Sequence, residues 1–402
     1  MTDRPWTPIL GRHFIDEAPA SDTRGVSDAL FRRLLAADVP LLRANIALTT
    51  LHPEFTGFSY RWTRQTDETV EVEGRRIMVE HGLYDRSPYR LFFEDGYAGI
   101  RRRLERSDEL NDLGVLDEMR AMGATDYVAM ATSAGIIGGV TATWTTDRPG
   151  GFSTGELVLI ERELTATTQT LENRNLRETT AHLLDTYVGP RAGARILTGE
   201  IARGSGETLE AVIWLVDLRG YTALSDRLPR DRLIAVLNAY YDKVISPVQA
   251  HGGEVIKFIG DGVLAIFPTD IEGGAPAACV AAMAAADEAG AAIDAWNEET
   301  GADQEDLEIG IVMHLGDVSF GNVGAARRLD FTVIGPAVNL ASRLERLCSE
   351  IGDRVLVSGA IAEHVPEQVE LIGARNLRGL SRPQMVYRRR VEPRPRHSET
   401  ES

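Results

Sequence analysis

The sequence predicts an α/β (α+β) chain of two mixed domains joined by a long helix, and three observations predict it. Strand-like and helix-like apolar patterns alternate in both halves. A seven-residue leucine repeat crosses the middle, with Leu157, Leu164 and Leu171 in one phase and Leu176 and Leu183 in a shifted one. The length of 402 residues allows two or three cores.

Composition narrows the function. Sixty acidic residues against 43 basic ones leave a formal charge of −17, which repels a polyanion, so no nucleic-acid partner is expected. An anionic substrate then needs a local cationic pocket or a metal. The two cysteines, Cys279 and Cys348, stand in neither disulfide nor metal-ligand spacing, and a reducing, cytoplasmic location is expected. The N-terminal stretch MTDRPWTPILGRHF lacks the apolar core of a signal peptide. The longest uncharged run, Tyr127 to Thr146, is broken by Gly, Ser and Thr and reads as buried strands, so no membrane span is expected.

Along the chain, residues 1–25 and 391–402 read as loose tails. Residues 26–152 form a regulatory-sized domain: a helix around Ala29 to Ala36, strands at Ala44 to Leu51 and Thr69 to Val79, a helix around Arg102 to Met122, and strands from Tyr127 to Thr145. Ser153 and Glu156 make a capping box that starts a helix over 153–188, read as a parallel dimeric coiled coil or as an ordinary amphipathic surface helix. Residues 189–206, with five glycines and a proline, read as a linker.

The chemistry lies after the linker. Leu209 to Val216 is an apolar strand ending in Asp217, with LRGYT and a helical pattern following. An aspartate there can hold a hard cation while helix-start N–H groups meet phosphate oxygens; Gly220 permits close backbone approach and Thr222 offers a hydroxyl. Alone, such an aspartate is more often a helix cap. Residues 252–267, GGEVIKFIGDGVLAIF, read as a hairpin with Asp261 at its tip and Lys257 on its first strand. Two aspartates at strand ends could together hold two Mg²⁺ or Mn²⁺ ions across an in-line displacement. Between Met313 and Glu345 a strand, a Gly-rich turn and a short strand, Phe331 to Ile334, lead to a helix from Pro336, on which Asn339 and Arg343 stand four apart on one face. An amide beside a guanidinium suits the charge that builds on phosphoryl oxygens.

DLRGYT, VIKFIGDG and FTVIGPAVNLASRLE, in this order, resemble the class III nucleotidyl cyclase catalytic domain, over roughly residues 207–390. The resemblance implies a ferredoxin-like fold, with Asp217, Leu218 and Asp261 as metal positions, Asn339 orienting the ribose and Arg343 stabilising the transition state. It implies that Lys257 and Thr332 select the purine. A lysine can donate to adenine N1 and a threonine can accept from the exocyclic amine, which favours ATP over GTP as substrate. Arg378, in LRGLSRP, is the candidate for the terminal phosphates, where lysine is usual. The family's sites are shared between two subunits, so a homodimer is expected. The implied function is adenylate cyclase; the alternatives are a guanylate cyclase or a silent cyclase-homology module that binds nucleotide or dimerises. Residues 26–152, ahead of a signalling helix, resemble a GAF-type sensor, whose regulator no motif names. Its aromatics Tyr60, Trp62, Tyr84 and Tyr89 would line a pocket or pack a core.

Overall fold

The computed structural model describes residues 22–53, 55–75, 85–105, 112–133, 139–299 and 305–390. The chain divides into two compact units, 1–183 and 184–402.

In the first unit, helix α1 (Thr23–Ala36) starts earlier than the sequence pattern indicates, because Asp22 caps it by accepting from the Gly25 N–H at 2.8 Å. A six-stranded antiparallel sheet follows, built from β1 (Arg43–Thr49), β2 (Phe55–Thr63), β3 (Thr69–Arg75), β4 (Gly99–Arg103), β5 (Asp126–Ser133) and β6 (Val140–Thr146), in the order β3-β2-β1-β6-β5-β4. Two short helices, α2 (Pro88–Phe93) and α3 (Val115–Ala121), lie between its strands in sequence. The helix expected over Arg102 to Met122 is thus a strand and a shorter helix, with 106–111 outside the described residues. RRRLER is helix-compatible by propensity, but pairing with β5 overrides it: Arg101 donates through Nε and Nη2 to Asp126, a carboxylate with no exposed surface. Tyr84 also lies outside the described residues, whereas Tyr60 and Trp62 are buried in the core.

One face of this sheet presents Ile46, Tyr60, Trp62 and Trp144, and helix α4 (Thr154–Val188) covers it together with α1. Trp144 meets Phe31 edge-on, with ring centroids 6.0 Å apart. Ile160, Leu164 and Leu171 of α4 are fully buried in this same core. Leu164 and Leu171 of the leucine repeat are therefore spent inside the unit, as an amphipathic helix would spend them, while Leu176 remains 50% exposed. The capping box forms as expected: the Ser153 N–H donates to Glu156 at 2.7 Å, and Arg148 and Ser153 together hold the Glu156 carboxyl low, at about 2.

In the second unit, the segment read as a linker contains helix α5 (Pro190–Leu197), with proline at its first turn and Ala192 buried beneath the sheet. The sheet has β7 (Gly206–Leu218), β8 (Glu254–Ile259), β9 (Gly262–Pro268), β10 (Ile309–Ala325), β11 (Arg328–Ile334), β12 (Val355–Ser358), β13 (Val369–Arg375) and β14 (Gln384–Arg389). Their order is β13-β14-β12-β10-β7-β9-β8, with β11 pairing the far end of β10. Helices α6 (Tyr221–Arg227), α7 (Arg230–Ala250), α8 (Gly274–Glu299) and α9 (Pro336–Ile351) connect the strands. α7 and α8 pack one face; α9 packs the other through Ala337, Ala341, Leu344 and Cys348. This is the ferredoxin-like α/β arrangement. α8 is long and apolar enough to cross a membrane, and Ala278, Cys279, Ala282, Met283 and Ile293 along it are buried in the unit's own core. The run Tyr127 to Thr146 forms β5 and β6, as expected, with 134–138 outside the described residues.

Candidate active site

β7 lies between β10 and β9, so Ala211 to Val216 are buried on both faces, and the strand emerges from the core at half-buried Asp217. The Arg219 N–H donates to the Glu308 carbonyl at 2.8 Å, and its guanidinium bonds Glu308 and the Gly352 and Asp353 carbonyls, fixing the turn. Gly220 has φ +71° and opens α6; a Cβ there would meet nothing within 4 Å, so the turn demands glycine's conformation and leaves open space beside it.

The expected hairpin forms. β8 and β9 pair with Ile259 opposite Gly262, Gly260 is left-handed at φ +65°, and Asp261 stands at the tip. The Tyr241 hydroxyl donates to the Gly260 carbonyl at 3.0 Å. β9 continues along β7 to Val216 opposite Val263, so the tip arrives beside Asp217: a Cβ on Gly262 would stand 3.5 Å from Asp217 Oδ1. Asp217, Leu218, Gly220, Thr222 and Asp261 line one cleft of about 260 Å³. Glu345 and Ser349 of α9 complete its wall.

Burial, then the adjacent Asp261 carboxylate, then Glu345 push the Asp217 carboxyl up to about 7, against a bond from the Leu218 N–H. Glu345 is also raised, by burial first, with Arg346 opposing and Asp261 adding. The guanidinium on the lining, Arg219, is committed elsewhere. Carboxylates crowded without a cation of their own are what a divalent ion relieves, so the donor set fits a hard metal. Among the described residues no cluster of three or more His, Cys, Asp or Glu is disposed to hold a metal. The aspartate pair would need further oxygens, such as those of a bound phosphate, as Mg²⁺ sites commonly do.

The other expected residues lie away from this cleft. Lys257 donates from Nζ to Asp330 Oδ2 at 2.7 Å. Asp330 is two residues before Thr332 and so on the same face of β11, and Thr332 is 4% exposed with a hydroxyl that has no hydrogen-bond partner among the described residues. Asn339 is exposed and Arg343 half-buried, on one side of α9 as the four-residue spacing predicts. Glu345 comes two residues after Arg343, about 160° around the helix, so the aspartate cleft and the Asn339–Arg343 side face different ways. Arg343 lies against the loop that carries exposed Arg378: a Cβ on Gly379 would sit 3.4 Å from Arg343 Nη2. Sequence reasoning missed Asp330, Glu345, Arg219 and Ser349. Asp330 had one signal, its same-face spacing from Thr332.

Residues 206–385 match the model of the adenylate and guanylate cyclase catalytic domain. An adenylate cyclase of Anabaena cylindrica is 32% identical over 177 residues, 42% of this chain and 34% of that protein. Adenylate cyclase 1 of Rhizobium meliloti is 31% identical over 182 residues, 44% of this chain and 27% of that one. This chain thus spans about a third of the length of the curated relatives it matches. Among solved structures, the adenylyl cyclase CyaB from P. aeruginosa is 30% identical, with a TM-score of 0.42 over 47% of this chain and 98% of that one. The family match and these relatives fall on the segment that holds both aspartates, so residues 206–385 are similar to the catalytic domain of adenylate and guanylate cyclases.

Proposed function

We propose that the chain is an adenylate cyclase, converting ATP to 3′,5′-cyclic AMP and pyrophosphate at sites shared between two copies. The observation that carries this is the opposed pair Asp217 and Asp261 in a phosphate-sized cleft at the mouth of β7. Balanced, the reaction forms a bond from the ribose 3′ oxygen to the α-phosphorus, breaks the bond from that phosphorus to the β-bridging oxygen, and releases the hydroxyl proton. Asp217 and Asp261, with Leu218 beside them, would hold two Mg²⁺ or Mn²⁺ ions, which when bound neutralise phosphate charge and ease ionisation of the attacking hydroxyl. The half-buried position of the aspartates limits water around them, which strengthens their field at the substrate. The Gly220 turn and Thr222 offer N–H and hydroxyl donors to the phosphates.

Lys257 and Thr332 select adenine, and the carbonyl edge of guanine would find a misplaced donor and acceptor there. The unpartnered Thr332 hydroxyl supports this, because a ligand would satisfy it. Asn339 orients the ribose, Arg343 meets the charge growing on the α-phosphate, and Arg378, in the adjoining loop, takes the terminal phosphates. Because α9 turns Asn339 and Arg343 away from its own chain's cleft, a two-fold homodimer with two composite sites is the simplest assembly. In this scheme residues 26–152 are a cytoplasmic GAF-like sensor acting through α4; the six-stranded antiparallel sheet covered by helices supports it.

The test is product identification: purified chain with ATP or GTP and Mg²⁺ or Mn²⁺, followed by mass spectrometry. Cyclic AMP from ATP is the expected result. Cyclic GMP as the main product would replace the adenylate assignment, and no product under any condition would favour a silent module.

A further inference from the structure

The N-terminal sheet has one face sealed by α1 and α4, and its other face is only partly filled. Residues of that second face alternate along the strands: Asn45 and Ala47 on β1, Ser59 and Arg61 on β2, Val72 on β3 and Thr141 on β6. Most of these are small, so the floor is shallow. Tyr89 and Phe93 of α2 also line the space, which forms a cavity of about 340 Å³. The Tyr89 hydroxyl faces Thr141 and Asn45.

The charges around this cavity do not balance. Arg43, on the same face, is neutralised by Glu118 at 2.7 Å. Glu73, also on the lining, is exposed and already has a partner. The Arg61 side chain has no hydrogen bond or ion pair with any described residue, and its Nε is shut off from solvent. Burial and then Arg43 weigh against its charge, and they outweigh the favourable fields of Glu118 and Tyr89. A guanidinium held this way is unfavourable unless an anion joins it.

We propose that this cavity binds a small amphipathic carboxylate, its anionic head paired with Arg61 and its apolar body between Val72, Tyr89 and Phe93. One unpartnered charge calls for a monoanion, and the planar guanidinium fork suits a planar carboxylate with two parallel bonds. The volume is at the small end of ligand sites and admits a body of roughly ten heavy atoms. Nothing in this depends on the cyclase chemistry, because binding itself is measured.

The experiment titrates the full chain with propionate, hexanoate, 3-phenylpropionate and indole-3-acetate, and with the amide of each, by calorimetry and ligand-observed NMR. The larger acids should bind and their amides bind at least about tenfold more weakly, since only the acid pairs with the guanidinium. Arg61→Gln should weaken the acids at least about tenfold and leave the amides nearly unchanged, with Arg61→Lys between. Ala47→Met, which fills the floor, should abolish binding of both. No acid bound at about 5 mM, equal binding of acid and amide, or undiminished acid binding by folded Arg61→Gln would each overturn the proposal. The acid-to-amide contrast is read on the wild-type chain, so the test stands even if Arg61→Gln fails to fold.

Discussion

Replacing Asp217 by asparagine should make the metal-free protein more stable while removing its response to Mg²⁺ and its activity. The Asp217 carboxyl is raised from 3.8 to about 7 by burial, Asp261 and Glu345, so ionising it costs the folded state. A rise of this size would correspond to about 4 kcal/mol for a fully sequestered group, and half-exposure with solvent screening reduces this to about 1–2 kcal/mol. The sign follows from a folded value above the unfolded one. The contribution of this carboxyl to stability is most favourable below about pH 4, where it is protonated in both states, and falls as pH rises toward 7. At pH 8 the full cost is present, and the asparagine variant should melt about 2–6 °C higher than wild type without metal. The gap should close as pH is lowered toward 4. About 10 mM Mg²⁺ should raise the wild-type melting temperature and leave the variant unmoved. Scanning calorimetry at pH 5, 6.5 and 8, with EDTA or Mg²⁺, reads all three effects. A variant that melts at or below wild type at pH 8 in EDTA, and still gains from Mg²⁺, would refute the crowded-carboxylate account of this cleft.

Other outcomes follow from the same geometry. Lys257→Glu with Thr332→Cys should shift the ATP to GTP preference at least about tenfold in steady-state assays; because Lys257 is ion-paired with Asp330, the swap sets two carboxylates face to face, and adding Asp330→Asn should recover lost turnover. Mixing inactive Asp217→Ala and Asn339→Ala chains should restore roughly a quarter of wild-type activity once mass spectrometry shows exchange, since half the dimers are mixed and each keeps one intact site. Asp126→Ala should cost about 2–4 kcal/mol in urea unfolding of the N-terminal unit, because it strands Arg101 and the Phe152 N–H, which donates to Asp126 at 3.0 Å.

The parts of the fold legible in the sequence are those that short-range rules govern. Asp217 at a strand end, the two-residue hairpin turn at Asp261 and the α9 face of Asn339 and Arg343 follow from alternation, turn chemistry and helical spacing. Long-range pairing hid the rest. β2 was not anticipated because FTGFSYRWT mixes polar and apolar residues that only its two neighbouring strands sort into faces. Arg102 and Arg103 read as helix because the edge strand they belong to is held by Arg101 and Arg103 on Asp126, 23 or more residues away. The leucine repeat of α4 was legible as a stripe, but its partner was not: Leu164 and Leu171 meet the unit's own sheet. Glu345 ends the motif FTVIGPAVNLASRLE and Asp330 immediately precedes it, and only the three-dimensional structure shows which neighbours they face.

Helix α9 explains why one chain carries all the proposed groups without assembling them. Ala337, Ala341, Leu344 and Cys348 commit one stripe to the sheet, which fixes the helix's rotation. With that rotation fixed, Glu345 and Ser349 reach the aspartate cleft, and Asn339 and Arg343 cannot. Turning the helix far enough to bring Arg343 inward would expose the buried stripe and drive Glu345 out of the cleft. That loses several apolar side chains' burial, at about 1.5–3 kcal/mol for each large one, far more than an arginine contact would return. In the proposed homodimer, a second copy supplying the same helix face across a two-fold axis would meet the need without that cost, and the crowded carboxylates of each chain would be left free for a divalent ion to relieve.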